Sequence, residues 1–373
     1  ASDGTVRANV TSTKADTFRL LPVVTFNSSN NVFNGLFATF TPGATDANHS
    51  YFNINPNVVV ANGVNTANVA ITARDVYDNS RPDQSVTLSY GGTSTITTTP
   101  GTTDSNGIYT ATVRSTLAQT ATLTANFGVT RSGPVTFVAG PAAQAYTTLS
   151  ASPNALIANG SSQTTLTLYV ADAQNNPVSG AACTFSSSGG NNTLTPTSTT
   201  TNSAGLATAQ LSSTQAQLKQ ITGAVTSTSI TANANVIFNP GSISAAQSSV
   251  AASPNSVTTD GNTTTTVTAV ARDAQRNPVA NQAVSLSGLG SNNVFGNPNG
   301  ITDASGTYST TLYSNTAQVE NLQADFAGQG IATSSVTFTP GATTNANSTL
   351  TATSTSPTVN SNVTLTFTAK DAH

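Results

Sequence analysis

The chain repeats itself about every hundred residues, and this constrains its fold more than any other feature. Arg272-Asp273-Ala274-Gln275-Arg276-Asn277-Pro278-Val279 matches Ala171-Asp172-Ala173-Gln174-Asn175-Asn176-Pro177-Val178. A weaker copy runs Arg74-Asp75-Val76-Tyr77-Asp78-Asn79, and a further one begins at Lys370-Asp371-Ala372. The aspartates at 75, 172, 273 and 371 lie 97, 101 and 98 residues apart. A second landmark, Thr302-Asp303-Ala304-Ser305-Gly306, matches Thr103-Asp104-Ser105-Asn106-Gly107 and Thr201-Asn202-Ser203-Ala204-Gly205. A third ends each unit: Phe40, Phe137, Phe238 and Phe338 each precede a glycine by three residues. Units therefore span 44–140, 141–241 and 242–341. Residues 1–43 read as the last part of another unit, and 342–373 as the first part of one more. A period this long exceeds a solenoid turn and predicts successive globular domains. The part-units suggest a window from a longer array, or ends that neighbouring chains complete.

Inside a unit the period is two. Thr165-Leu166-Thr167-Leu168-Tyr169-Val170, Thr266-Val267-Thr268-Ala269-Val270 and Val363-Thr364-Leu365-Thr366-Phe367 alternate, so one strand face is buried and the other is wet. Threonine fills the wet positions, and its branched Cβ suits a pleated surface. The runs are fenced by Gly, Asn, Pro, Asp and Ser. Roughly seven runs per unit predict an all-β chain of tandem immunoglobulin-like β-sandwiches. The short Pro/Gly joints predict an extended array.

Composition narrows the function. The 373 residues carry 11 Lys+Arg and 14 Asp+Glu, a charged fraction of 7%. Nucleic-acid binding needs clustered basic residues, and none occur. No apolar run is long enough to cross a bilayer as a helix, so direct membrane insertion is not expected of this segment.

Motif by motif, catalysis finds no support. Cys183 is the only cysteine, and its offset from Asp172 matches those of Val86 and Val284 from Asp75 and Asp273. It reads as a core residue in an inward-facing strand, not a nucleophile. His49 and His373 are the only histidines and have no cluster around them in sequence. The candidate ion ligands are Asp46, Asp75 and Asp78, since calcium favours several carboxylates. The competing role is an Asx-turn, because the later units carry Asn175 and Arg276 where the first has Asp78. Glu320, the only glutamate, has no identifiable partner. Ser188-Gly189-Gly190 and Gly288-Leu289-Gly290 read as hairpin turns. Tyr51 and Tyr146 are expected to start strands at domain joints. The chain is expected to be no enzyme, with no cofactor.

At these landmarks the chain resembles the bacterial Ig-like repeats of the invasin/intimin type. The pattern is Asn-Gly (Asn62-Gly63, Asn159-Gly160; Asp260-Gly261 in the third unit), then Asp-Ala-x-x-Asn-Pro-Val, Asp-x-x-Gly, and Ser-Thr-x-Ala at Ser213-Thr214-Gln215-Ala216. The first unit departs from it, with Ser80 in place of proline followed by Arg81-Pro82. The resemblance implies a stalk segment of a large extracellular adhesin on the bacterial cell surface. Any host or environmental receptor would be met by regions outside this chain. The alternative is a subunit of a self-assembling filament or sheath, with strand addition joining copies. A direct join of the two part-units would lack about 27 positions of a full unit.

Overall fold

The structure, a computed structural model, describes residues 4–26, 28–91, 100–226 and 228–373. It is built almost wholly of strands. One 3-10 turn, Gln144–Tyr146, is the sole helical element among the described residues.

The second unit shows the plan. A four-stranded sheet runs Thr148–Ser152, Thr164–Tyr169, Leu206–Ser213, Asn192–Thr195 in spatial order. A five-stranded sheet runs Ala155–Ile157, Thr231–Asn239, Gln217–Val225, Ala182–Ser187, Ser198–Thr200. The third unit repeats both orders with strands between Ser249 and Thr339. The first has the same five-stranded sheet and, among the described residues, three strands opposite it.

The second and third units have nine strands each, and the first eight among its described residues, more than the seven that alternation predicts. The first strand is broken at Pro56, Pro153 and Pro254. Before the break it pairs antiparallel in one sheet, as Thr148↔Tyr169. After the break it crosses over and pairs parallel in the other, as Ala155↔Ile237. Proline has no N–H for a ladder, so it falls where the strand changes partner.

Burial follows the alternation. Leu166, Leu168 and Val170 are inside while Thr165, Thr167 and Tyr169 turn outward. Three separate cores result, with buried members within 59–137, 158–238 and 250–338. Among the described residues no cluster bridges two units. The closing phenylalanines Phe137, Phe238 and Phe338 are buried, each worth roughly 1.5–3 kcal/mol in apolar transfer. Cys183 lies in the second core beside Phe185, where Val86 and Val284 lie in the others.

The turn glycines behave as their motif requires. Gly107, Gly205 and Gly306 sit at φ +74°, +72° and +74°. The residue three positions earlier shapes each turn: the Asp303 carboxylate accepts the Ser305 and Thr307 N–H groups, each at 2.9 Å.

Candidate functional site: the joint between units

The repeated Asp-x-x-x-Asn signature sits where one unit meets the next. At the joint between the first and second units, Asp172 is 1% exposed. Its Oδ2 accepts the Gly140 N–H at 2.8 Å, fixing the last residue of the preceding unit. Its Oδ1 accepts the Gln174 and Asn176 N–H groups, both at 2.9 Å, which closes the loop on itself. The Asn176 amide donates back to the carboxylate and also donates to the Thr116 carbonyl of the first unit at 2.9 Å. In return the Ala118 N–H donates to Asn176 Oδ1 at 2.7 Å. One carboxamide thus satisfies a donor and an acceptor of the neighbouring unit at once.

The receiving turn is shaped by serine. Ser115 Oγ accepts the Leu117 N–H at 2.9 Å, a local side-chain turn that leaves the Thr116 C=O and Ala118 N–H facing the joint. Ser213-Thr214-Gln215-Ala216 does the same in the second unit.

The full arrangement recurs at two other joints, and its aspartate–glycine bond at the last. At the next one, Gly241 N–H donates to Asp273 at 2.9 Å, Asn277 donates to Thr214 O at 3.0 Å, and Ala216 N–H donates to Asn277 at 2.8 Å. At the first, Gly43 N–H reaches Asp75 at 2.8 Å, Asn79 donates to Thr13 O at 2.9 Å, and Ala15 N–H donates to Asn79 at 2.8 Å. At the last, Asp371 accepts the Gly341 N–H at 2.8 Å.

Electrostatics favour a charged carboxylate here. Burial pushes Asp172 upward, but the Asn176 amide and the Gly140, Asn176 and Gln174 N–H groups outweigh it and hold it below its ordinary value. Asp75 is lowered in the same way by Asn79, Gly43 and Tyr77 against its own burial. At Asp371 the Gly341 N–H is the main lowering cause.

The candidate ion ligands share the first joint but are engaged otherwise. Both oxygens of Asp75 accept clasp hydrogen bonds. Asp46 accepts the Asn48 N–H at 2.8 Å and contacts His49 Nδ1 at 2.7 Å. Asp78 stands at φ +66°, as do Asn175 at +62° and Arg276 at +66°, so this position serves the left-handed bend of the loop. Among the described residues no three of His, Cys, Asp or Glu are grouped to hold a metal ion. Tyr51 begins its strand, whereas Tyr146 ends the 3-10 turn ahead of one; both are exposed. Among the described residues no helix is long and apolar enough to cross a membrane.

Sequence reasoning missed the clasp asparagines Asn79, Asn176 and Asn277. Their signal was present: they follow Asp75, Asp172 and Asp273 by four, and the Ser-Thr-x-Ala turn recurs in step with them.

Comparison with known proteins fits these geometries. Three stretches, residues 49–138, 146–239 and 247–339, match the family described as bacterial Ig-like domain (group 1). This chain belongs to the bacterial Ig-like domain family. Each matched Ig-like stretch encloses one of the three cores. Among curated relatives, the inverse autotransporter adhesin YeeJ of Escherichia coli K12 is 35% identical over 139 residues. That alignment covers 36% of this chain and only 6% of the adhesin's length. Among solved structures, InvD of Yersinia pseudotuberculosis has a TM-score of 0.53 at 18% identity. It covers 79% of this Ig-like chain and all of the InvD chain, and shows a shared fold. Invasin, a bacterial integrin-binding protein, has a TM-score of 0.49 at 22% identity, covering 81% of this chain and 61% of invasin.

Proposed function

We propose that this chain is a stalk segment of a large bacterial adhesin, lying outside the cell at its surface and giving reach to a receptor-binding region elsewhere in the parent protein. Its working parts are the units 44–140, 141–241 and 242–341, with boundaries at the clasp glycines. The observation that carries this function is the repeated clasp, a set of hydrogen bonds that ties each unit to the next. The three separate cores add to it, because a spacer needs independent modules rather than a shared interior. The job involves no catalysis and no cofactor. The relative YeeJ is an adhesin, which supports the same assignment. Small-angle scattering on the full chain tests it: an elongated particle is expected, and a compact one would overturn the stalk.

Assembly of copies into a fibre is the second reading. It is favoured by Leu218 and Val319, which stand exposed at the same strand position in the second and third units. Monomers at high concentration in the ultracentrifuge would set it aside.

A further inference from the structure

One buried position differs in chemical class in every unit. Ala121, Lys219 and Glu320 each sit on the strand that pairs with the long last strand, and each stands opposite a valine there: Ala121↔Val135, Lys219↔Val236, Glu320↔Val336. All three are buried, Lys219 and Glu320 completely. The ion pairs among the described residues, Lys14–Asp16 and His49–Asp46, include neither charge. Each charge is met instead by the hairpin turn above it. Lys219 Nζ donates to the Gly190 carbonyl at 2.7 Å. Glu320 accepts the Gly290 N–H at 3.0 Å and the Asn293 amide at 2.6 Å. One turn turns a backbone carbonyl toward a cation, and the other turns a backbone N–H toward an anion.

We propose that Lys219 and Glu320 act as address marks that stop strands of the second and third units from pairing with each other's sheets. The two units have the same strand order, and the strands concerned pair alike: Thr184↔Ala224 in one, Ser285↔Asp325 in the other. Adjacent repeats this similar are prone to exchange strands while folding. An exchanged strand would place Glu320 beneath the Gly190 carbonyl, oxygen against oxygen, and Lys219 beneath the Gly290 N–H, donor against donor, while Asn192 and Asn293 hold the same place in the two turns and do not discriminate. A buried charge without a matching partner is strongly penalised, so the exchange fails while the native pairing stands. Burial lowers the Lys219 pKa. The first unit forms the same five-stranded sheet with Ala121 in this position.

The test is force spectroscopy on the full chain, held at its ends and cycled through unfolding and refolding. Native refolding gives extensions of one unit; exchange between the second and third units gives a doubled extension. In K219M/E320Q the doubled events are expected to rise several-fold over the unaltered chain, while single-unit events keep their native unfolding force. An unchanged frequency of doubled events overturns the proposal. If K219M/E320Q shows no single-unit events, K219A/E320A, which copies Ala121, is scored by the same criteria. Loss of native events in that variant also overturns the proposal, because the charges would then serve native stability.

Discussion

The Ala118 N–H and the Asn176 side-chain oxygen, 58 residues apart in sequence, meet at 2.7 Å across the boundary between two units. Because the same amide group also donates to Thr116 and to Asp172, the two units share one hydrogen-bond network and not merely a covalent joint.

Removing that amide is expected to loosen one joint without unfolding either core. Asn176→Ala leaves the Ala118 N–H and the Thr116 carbonyl without their partner, a cost of about 1–3 kcal/mol for buried groups. Scattering should show a smaller mean end-to-end dimension for N176A, and hydrogen exchange should quicken at Ala118 while Leu166 stays protected. Equal exchange at Ala118 in both proteins would contradict this role.

Acid should loosen the joints as well. Asp75 and Asp172 have folded values below the unfolded value of about 3.9. A depressed acid contributes stability that is complete above its unfolded value and is lost as pH falls through its folded value. Denaturant midpoints should therefore hold steady down to about pH 5 and decline below about pH 4. Asp172→Asn should flatten part of that decline.

His49 gives the opposite slope at the first joint. Its contact with Asp46 raises its pKa, with Asp78 and Asp75 adding to the effect against partial burial. A raised base contributes stability that is complete below its unfolded value of about 6.5 and is lost as pH rises through its folded value. An NMR titration should find the His49 ring above that reference, and Asp46→Asn should bring it down.

Gly306→Ala should damage the third unit. The residue stands at φ +74°, and a Cβ there would lie 2.5 Å from the Ala271 carbonyl oxygen. The left-handed conformation alone costs an alanine roughly 1–2 kcal/mol, and the backbone contact adds to it. Thermal unfolding should show one of three units melting earlier.

Cys183 should behave as a core residue. Burial raises its thiol pKa, so a thiol reagent should label it in unfolded protein and not in the native chain. Cys183→Val, which copies Val86 and Val284, should cost less than about 1.5 kcal/mol.

Much of the fold can be read from local chemistry. Alternation in Thr165–Val170 sets which side chains face inward, because a strand's side chains switch faces at every residue. The turn at Asp303-Ala304-Ser305-Gly306 follows from one carboxylate and one left-handed glycine, both within the same few residues. The crossover strand Ala155–Ile157 was harder to see: three residues after a proline look like a loop until the distant strand Thr231–Asn239 lies beside them.

The period, the strand faces, the turn glycines and the core slot of Cys183 are legible along the chain, because each depends on near neighbours. Folding alone brings Asn176 to Thr116, Lys219 under the Gly190 carbonyl and Glu320 under the Gly290 N–H. Those relationships join residues about 30 to 60 positions apart, and a hydrogen bond needs a distance and a direction that no spacing in sequence can fix.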